Sequence, residues 1–224
     1  MLPEGVREAP WDARVLGVPA FELAALSQEA VQWLRRTAGF FTLKLPSGGQ
    51  KGEAERYGFY YCDTLLRPSC VRGRFVPHDD GRCSLTADFD LDAVLAMVPG
   101  AFTHDRFHKD ARIHPSVGDD RYVRWLRDLR AQGRLLAFLW EGRELAGFWG
   151  YTPEGVVVLH ALADGFRGRG LAKNFWTAGC RMLFDRGFQT LASSVSASNL
   201  AVMNLYSSLG FSMKDAVDVY HLFR

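Results

Sequence analysis

The stretch Asp164-Gly165-Phe166-Arg167-Gly168-Arg169-Gly170-Leu171-Ala172 constrains this chain more than any other. It follows an apolar run, Val156 to Ala163, that reads as a buried strand. After it, Leu171, Phe175, Ala178 and Met182 recur at helical spacing through Leu171 to Arg186. The glycines therefore stand on a tight strand-to-helix turn. A turn free of bulky side chains aims backbone N–H groups outward, and the helix N-terminus adds a partial positive charge. Such a turn can cradle phosphate. Gly-x-Gly between a strand and a helix is also plain turn chemistry, so the loop alone leaves both readings open.

A second stretch runs from Ser198-Asn199-Leu200 to Tyr206-Ser207-Ser208-Leu209-Gly210-Phe211. Asn199 and Tyr206 are two helical turns apart and are expected on one face, with Gly210 ending the helix. On the residues alone, Tyr206 is equally a packed aromatic beside Val202, Leu205 and Leu209, and Asn199 equally a helix cap. Taken together the two stretches resemble the GNAT superfamily of acyl-CoA-dependent N-acyltransferases. Arg167, Gly170 and Ala172 match that superfamily's Arg/Gln-x-x-Gly-x-Gly/Ala pyrophosphate loop, and Asn199, Tyr206 and Gly210-Phe211 match its second signature, in the right order and separation. The resemblance covers Cys83 to Arg224. It implies an α/β fold with a mixed, mostly antiparallel sheet flanked by helices, and acetyl-CoA as co-substrate without a metal. It also implies direct attack by a primary amine in a ternary complex. Donor contacts would come from Leu162, Ala163, Arg167, Gly168, Arg169, Gly170, Leu171, Ala172 and Asn199, and the catalytic proton for the departing thiolate from Tyr206. A phenol titrates near ~10 and a thiol near ~8.5, so tyrosine is a neutral donor suited to that task.

The rest of the composition narrows the class further. With 224 residues, 48% hydrophobic and 23% charged, the chain is ordinary globular material able to bury a sizeable core. A net charge of +2 without a dominant basic run argues against nucleic acid as a partner. Cys62, Cys70, Cys83 and Cys180 lie far apart with no Cys-x-x-Cys pair, which indicates free thiols rather than a zinc site or disulfides. Met1 to Arg14 carries charges throughout and does not read as a signal peptide, and no run is apolar enough to span a membrane. A cytoplasmic protein is the expectation, with a small-molecule amine and a second copy of the chain as the partners to consider.

An internal repeat organises the N-terminal part. Gly39-Phe40-Phe41-Thr42-Leu43 matches Gly187-Phe188-Gln189-Thr190-Leu191, and Gly58-Phe59 matches Gly210-Phe211. Counting from these glycines puts Glu22 opposite Gly170 and Ala54 opposite Tyr206. The early copy therefore lacks both functional features and reads as a truncated GNAT-like half-domain, residues 1–70. The polar, turn-rich residues 71–82 read as a linker, and 83–224 as the catalytic domain. Residues 102–119 are expected to be a loop, with an amphipathic helix from Asp120 to Gln132 whose Tyr122, Trp125, Leu126 and Leu129 share one face. Three histidines and two aspartates between His104 and His114 raise a metal site, but Pro115 and Gly118 argue for a loop, and the GNAT resemblance implies that this loop recognises the acceptor, with Arg106 and His108 as the candidate residues. His160, on the strand entering the cleft, is a candidate base or a satisfied buried histidine. Trp11-Asp12, Leu16-Gly17, Phe102, Arg106-Phe107 and Trp125 resemble nucleotide-sugar N-acetyltransferases of the TDP-fucosamine type, which implies a nucleotide-linked amino deoxysugar as acceptor. Against it stand another small amine, a peptide N-terminus, or a non-catalytic acyl-CoA-binding module.

Overall fold

The computed structural model describes residues 1–49 and 51–224. The first half runs β1 (Val6–Glu8), α1 (Pro10–Leu16), β2 (Ala20–Leu23), α2 (Gln28–Leu34), β3 (Phe40–Pro46), α3 (Lys51–Arg56) and β4 (Tyr60–Val71). The second runs β5 (Cys83–Thr86), α4 (Leu91–Leu95), α5 (Arg106–Lys109), α6 (Pro115–Ala131), β6 (Leu135–Trp140), β7 (Glu144–Tyr151), β8 (Val156–Leu162), α7 (Ala172–Asp185), β9 (Thr190–Ser193), β10 (Val195–Ser196), α8 (Leu200–Ser208) and β11 (Ser212–Phe223). Helix starts follow local chemistry. The Ser27 hydroxyl accepts from Ala30 N at 3.1 Å to open α2, and α7 begins directly after the glycine loop.

Residues 102–119 depart from the expected loop. α6 begins at Pro115, five residues before the expected Asp120, and the short α5 precedes it. The residues taken as breakers are start signals here. His114 is the N-cap, its Nδ1 accepting from Ser116 N at 3.3 Å, and Pro115 occupies a first-turn position where a missing N–H loses no bond.

All strands belong to one sheet, ordered β1-β2-β3-β11-β4-β9-β8-β7-β6-β5, with β10 paired to β4. Its central part is symmetric. β2 and β3 are parallel neighbours joined through α2, as β8 and β9 are joined through α7. Each half then places its last strand beside the other half: β11 pairs β3, and β4 pairs β9. β11 and β4 run antiparallel against each other at the centre. Residues 71–82 are therefore no break in the sheet. They are also pinned to the second half, through Val76 N to Leu209 O at 3.0 Å and His78 N to Thr177 Oγ1 at 2.8 Å.

The repeat corrects one alignment made by counting. Glu22 lies inside β2, whereas Gly170 lies in the turn after β8. The connection from β2 to α2 is only residues 24–27, against 163–171 in the second half, so the early copy has no room for the glycine loop. Ala54 in α3 is fully buried, as Tyr206 is in α8.

Two apolar clusters flank the centre, one around Phe138, Trp149, Phe175, Trp176 and Tyr206, the other around Leu23, Leu34, Phe41, Phe59 and Tyr220. Against a further cluster that includes Phe40 and Phe107 lies a buried ionic joint. Asp12 of α1 takes Arg106 of α5 and, at 2.8 Å, Arg121 of α6. Burial would raise the Asp12 pKa, but the two guanidiniums hold it below its ordinary value. Arg106 also donates to Thr42 Oγ1 at 2.9 Å and to His221 Nε2 at 3.0 Å. His221 Nδ1 in turn donates to Asp110 Oδ2 at 2.8 Å.

Removing the carboxylate strands two largely buried cations, which costs about 3–5 kcal/mol. Asp12→Ala should lower the urea-unfolding free energy by that order, and a loss below about 1 kcal/mol would contradict the joint's role. A pH effect follows from the histidines. His221 and His160 are both pushed down to about 4 by burial, so the unfolded chain binds extra protons below its own value near ~6.5. The stability from keeping them neutral is complete above that pH and is lost as pH falls towards 4. A melting temperature that stays flat from pH 6.5 to 4 would contradict this.

Candidate functional site

The site exists because two parallel strands stop pairing. β8 and β9 are hydrogen-bonded only where Val156 faces Ala192 and Val157 faces Ser193. Beyond Ser193 the chain turns into β10, which pairs with β4 instead. The gap opens into a cavity of about 880 Å³. Val158 to Leu162 form one wall and Ser194 to Ser196 the other, with Ala201, Val202 and Leu205 of α8 beside them.

At one end stands the glycine loop. Phe166 is buried and anchors it. Gly168 and Gly170 have φ of 69° and 76°, a left-handed conformation that side chains resist. No atom lies within 4 Å of a Cβ built at either glycine, so conformation demands glycine and open space remains beside the loop. Among the described residues, no backbone or side-chain acceptor meets the amides from Gly168 to Lys173. Leu171, the N-cap of α7, supplies no side-chain bond, and the first turn carries no acidic residue. Exposed amides at a helix N-terminus beside the cavity can serve an anion. Arg167 donates from Nε to Leu162 O at 2.8 Å and pairs with Asp164 at 2.7 Å. Arg169 bonds Gly165 O at 3.0 Å. Of the expected donor-binding set, Leu162, Arg167, Gly168, Ala172 and Asn199 line the cavity, while Ala163, Arg169, Gly170 and Leu171 sit in the adjoining loop. Ala163 N is committed to Ala146 O at 2.8 Å, extending the β7 pairing.

Asn199 and Tyr206 do not both reach the cavity. Asn199 is the N-cap of α8, at φ −87° and ψ 72°, and its side chain accepts from Val202 N at 3.2 Å. Val202 and Leu205 line the cavity beside Asn199, whereas Tyr206 packs into the core. The Tyr206 ring is fully buried against Trp176 and Phe211, and its hydroxyl donates to Ser193 Oγ at 2.7 Å. That oxygen belongs to the last residue pairing with β8, at the apex of the opening. Burial lifts the phenol's pKa well above its ordinary value.

His160 lines the cavity, and its Nδ1 accepts from Trp176 Nε1 at 3.4 Å. Held at about 4 by burial, it is neutral at pH 7 and a weak base. Arg106 reaches the cavity wall, but its guanidinium is consumed by Asp12, Thr42 and His221. His108 does not reach it. Its imidazole sits between Asp105 and Asp119 and presses on Gly118, where a Cβ would lie 2.5 Å from the ring. Both residues thus fasten the fold in this structure, and His104 is the loop histidine on the cavity. The loop histidines do not converge as ligands. The metal-like grouping among the described residues is Cys62, Asp110 and His221, where both His221 nitrogens are already engaged by Asp110 and Arg106.

The first half also lines the cavity, through Trp11, Arg14, Glu22, Lys44 and Asp63, together with Arg124 of α6. The sequence singled out Trp11 only through the nucleotide-sugar resemblance and Glu22 only through the repeat, and left Arg14, Lys44 and Asp63 unassigned, since nothing local links Asp63 to Ser196 across the chain. A charge inside the apolar-rich β4 was the signal available.

Comparison with known proteins places this geometry. The profile of the acetyltransferase (GNAT) family matches residues 100–211. A mycothiol acetyltransferase of Renibacterium salmoninarum is 28% identical over 90% of this chain and 64% of its own length. One from Catenulispora acidiphila is 33% identical over 59% of this chain and 44% of its own. This chain thus spans less than two thirds of either relative. A GCN5-related N-acetyltransferase from Sphaerobacter thermophilus superposes with a TM-score of 0.67 over 97% of this chain and 76% of that one, at 13% identity. A tandem GNAT protein from the clavulanic acid pathway superposes at 0.58, over 92% and 76%, at 12% identity. At such identities these structures speak for the fold alone, and the fold agrees with the profile. The chain belongs to the acetyltransferase (GNAT) family.

Proposed function

We propose that this chain is an acetyl-CoA-dependent N-acetyltransferase acting on the primary amine of a small polar molecule of mycothiol type. The observation that carries the reading is the run of amides from Gly168 to Lys173 without acceptors, at a helix N-terminus beside an open cleft. A pyrophosphate is the acceptor that such a run fits. The pantetheine arm would lie along Val158 to Leu162, where β8 has lost its neighbour. Bound there, acetyl-CoA supplies an activated acyl group. The protein's part is to orient the amine, exclude water and deliver a proton to the leaving thiolate.

Tyr206 is assigned that proton. Its oxygen stands at the apex between the diverging strands, and rotation about the C–O bond redirects the hydrogen from Ser193 without moving the ring. With its pKa raised by burial, the phenol stays protonated at neutral and mildly alkaline pH. His160 is too weak a base to hold the amine's proton at pH 7 and serves as a neutral wall. The acceptor enters beside Trp11, Arg14, Glu22, Lys44 and Arg124, which offer aromatic surface and both signs of charge. The relatives' name supports a mycothiol-type acceptor over the nucleotide-linked amino sugar expected from the sequence.

Incubation with acetyl-CoA and a panel of amines, read by product mass, tests the reading. The panel holds the mycothiol precursor lacking its acetyl group, a nucleotide-linked amino deoxysugar and a peptide with a free N-terminus. Preferred acetylation of the precursor is expected. Preference for the nucleotide sugar would replace the acceptor, and inertness towards every amine would favour a binding module. Gly170→Glu should cut acetyl-CoA affinity by at least about 100-fold, since it puts a carboxylate and a strained φ at the anion cradle. Unchanged affinity by calorimetry in a folded variant would remove the loop from the site. Tyr206→Phe should lower kcat on the order of 10²–10⁴-fold while acetyl-CoA affinity holds. A folded variant with near-normal kcat would leave Tyr206 a core aromatic.

A further inference from the structure

Acetyl transfer to an amine leaves one proton to be taken from the attacking nitrogen. His160, buried and held at about 4, is a poor acceptor for it. A second histidine lines the same cavity. His104 lies just before α5, and unlike His160 it is exposed.

His104 ends a chain of hydrogen bonds that begins at a buried carboxylate. In β4, Val219 of β11 faces Asp63 and Tyr220 faces Tyr61, so Cys62 is an extra residue bulged out of the pairing. The bulge re-aims its neighbours, and Asp63 is turned inward, only 1% exposed. Lys109 pairs with Asp63 Oδ1 at 2.5 Å, and Ser196 Oγ donates to the same oxygen at 2.8 Å. Ser196 Oγ stands 3.0 Å from Ser198 Oγ, which stands 3.2 Å from His104 Nδ1. Ser196 and Asn199 flank Ser198 and both line the cavity. The imidazole is thereby anchored on the side that β10 forms, opposite the β8 wall.

Counting hydrogens fixes the direction of the chain. The carboxylate has none to give and, being charged, draws the single hydrogen of Ser196. Ser196 then has none for Ser198, so Ser198 is the donor of that pair. With its own hydrogen spent, Ser198 Oγ can only accept from His104, which puts an N–H on Nδ1. A neutral imidazole carries one hydrogen, so Nε2 keeps its lone pair. Among the described residues, Nε2 of His104 has no partner. His108 in the same segment shows the contrast, since Asp105 and Asp119 take both its nitrogens.

We propose that His104 is the general base of the acetyl transfer, an inference that rests on the acetyltransferase reading above. As the amine nitrogen bonds to the thioester carbonyl carbon, Nε2 takes a proton from that nitrogen. The C–S bond then breaks, and the thiolate takes a proton from Tyr206. One proton leaves nitrogen and one reaches sulfur; the exposed imidazole returns its proton to solvent and the phenol regains one. Asp63 and the two serines are positioning residues, holding the tautomer and favouring the imidazolium as it forms. The first half of the chain thereby orients the base, besides completing the sheet.

His104→Ala is the direct test. The side chain is exposed and makes one hydrogen bond, so the variant should fold. With whichever amine of the panel the wild type acetylates, kcat should fall on the order of 10²–10⁴-fold. Acetyl-CoA affinity by calorimetry should stay within about twofold, a split that general loss of structure would not produce. Imidazole added to the variant should raise its kcat at least about tenfold, because it restores the missing proton acceptor. A kcat within about threefold of wild type, or a loss that imidazole leaves untouched, would overturn the proposal. A loss confined to the KM of the amine would also overturn it and make His104 a substrate contact only. Inertness of the wild type towards every amine would instead remove the acetyltransferase reading, and this assignment with it.

Discussion

Parallel strands hold together only while their slanted hydrogen bonds continue, and in this protein those bonds cease after two residue pairs. Val157 and Ser193 are the last partners. Everything functional follows from that separation. β8 keeps β7 on one edge and is left open on the other, β10 is diverted to β4, and the space between becomes the cavity. α7 follows β8 through the glycine loop, so the start of that helix, at Ala172, lines the same space. The separation persists because each strand has a second neighbour: β8 is held by β7, while β9 and β10 are held by β4.

That support comes from the exchange of strands between the two halves. β4 belongs by sequence to the first half and β11 to the second, yet each completes the other's sheet. A half lacking its own phosphate loop still contributes the strand that props the cleft open and side chains that line it. The ionic joint of Asp12, Arg106 and Arg121 serves the same purpose, clamping α1 to α5 and α6 across the boundary. Stability and site geometry are therefore coupled through the first half, although its own copy of the motif is gone.

Much of this was legible in the residues. Strand β8, the glycine turn and α7 follow from one apolar run, two glycines and a helical stripe, all local signals. The repeat was legible too, because Gly-Phe recurs where a helix must stop and a strand begin. What escaped has a common cause. Tyr206 was expected at the cleft beside Asn199, but tertiary packing against Trp176, which no local spacing reveals, holds the ring in the core. Arg106 and His108 looked like ligand-binding groups because charged loops usually meet solvent, while Arg106 finds its partners Asp12 and His221 at distant positions and His108 finds Asp119 on a helix that starts earlier than expected. Asp63 drew no attention because only the bulge at Cys62 turns it inward, and a bulge depends on the partner strand.

The account stands or falls on the amides from Gly168 to Lys173 being the seat of a pyrophosphate. Calorimetric titration of the wild-type protein with CoA and with pantetheine, which lacks the pyrophosphate, addresses this directly. Pairing it with amide hydrogen exchange assigns the effect to residues. CoA should bind at least about 100-fold more tightly, a difference of roughly 3 kcal/mol, and should slow exchange at Gly168 to Lys173 where pantetheine does not. Equal affinities, or protection by CoA elsewhere with these six amides unchanged, would contradict it.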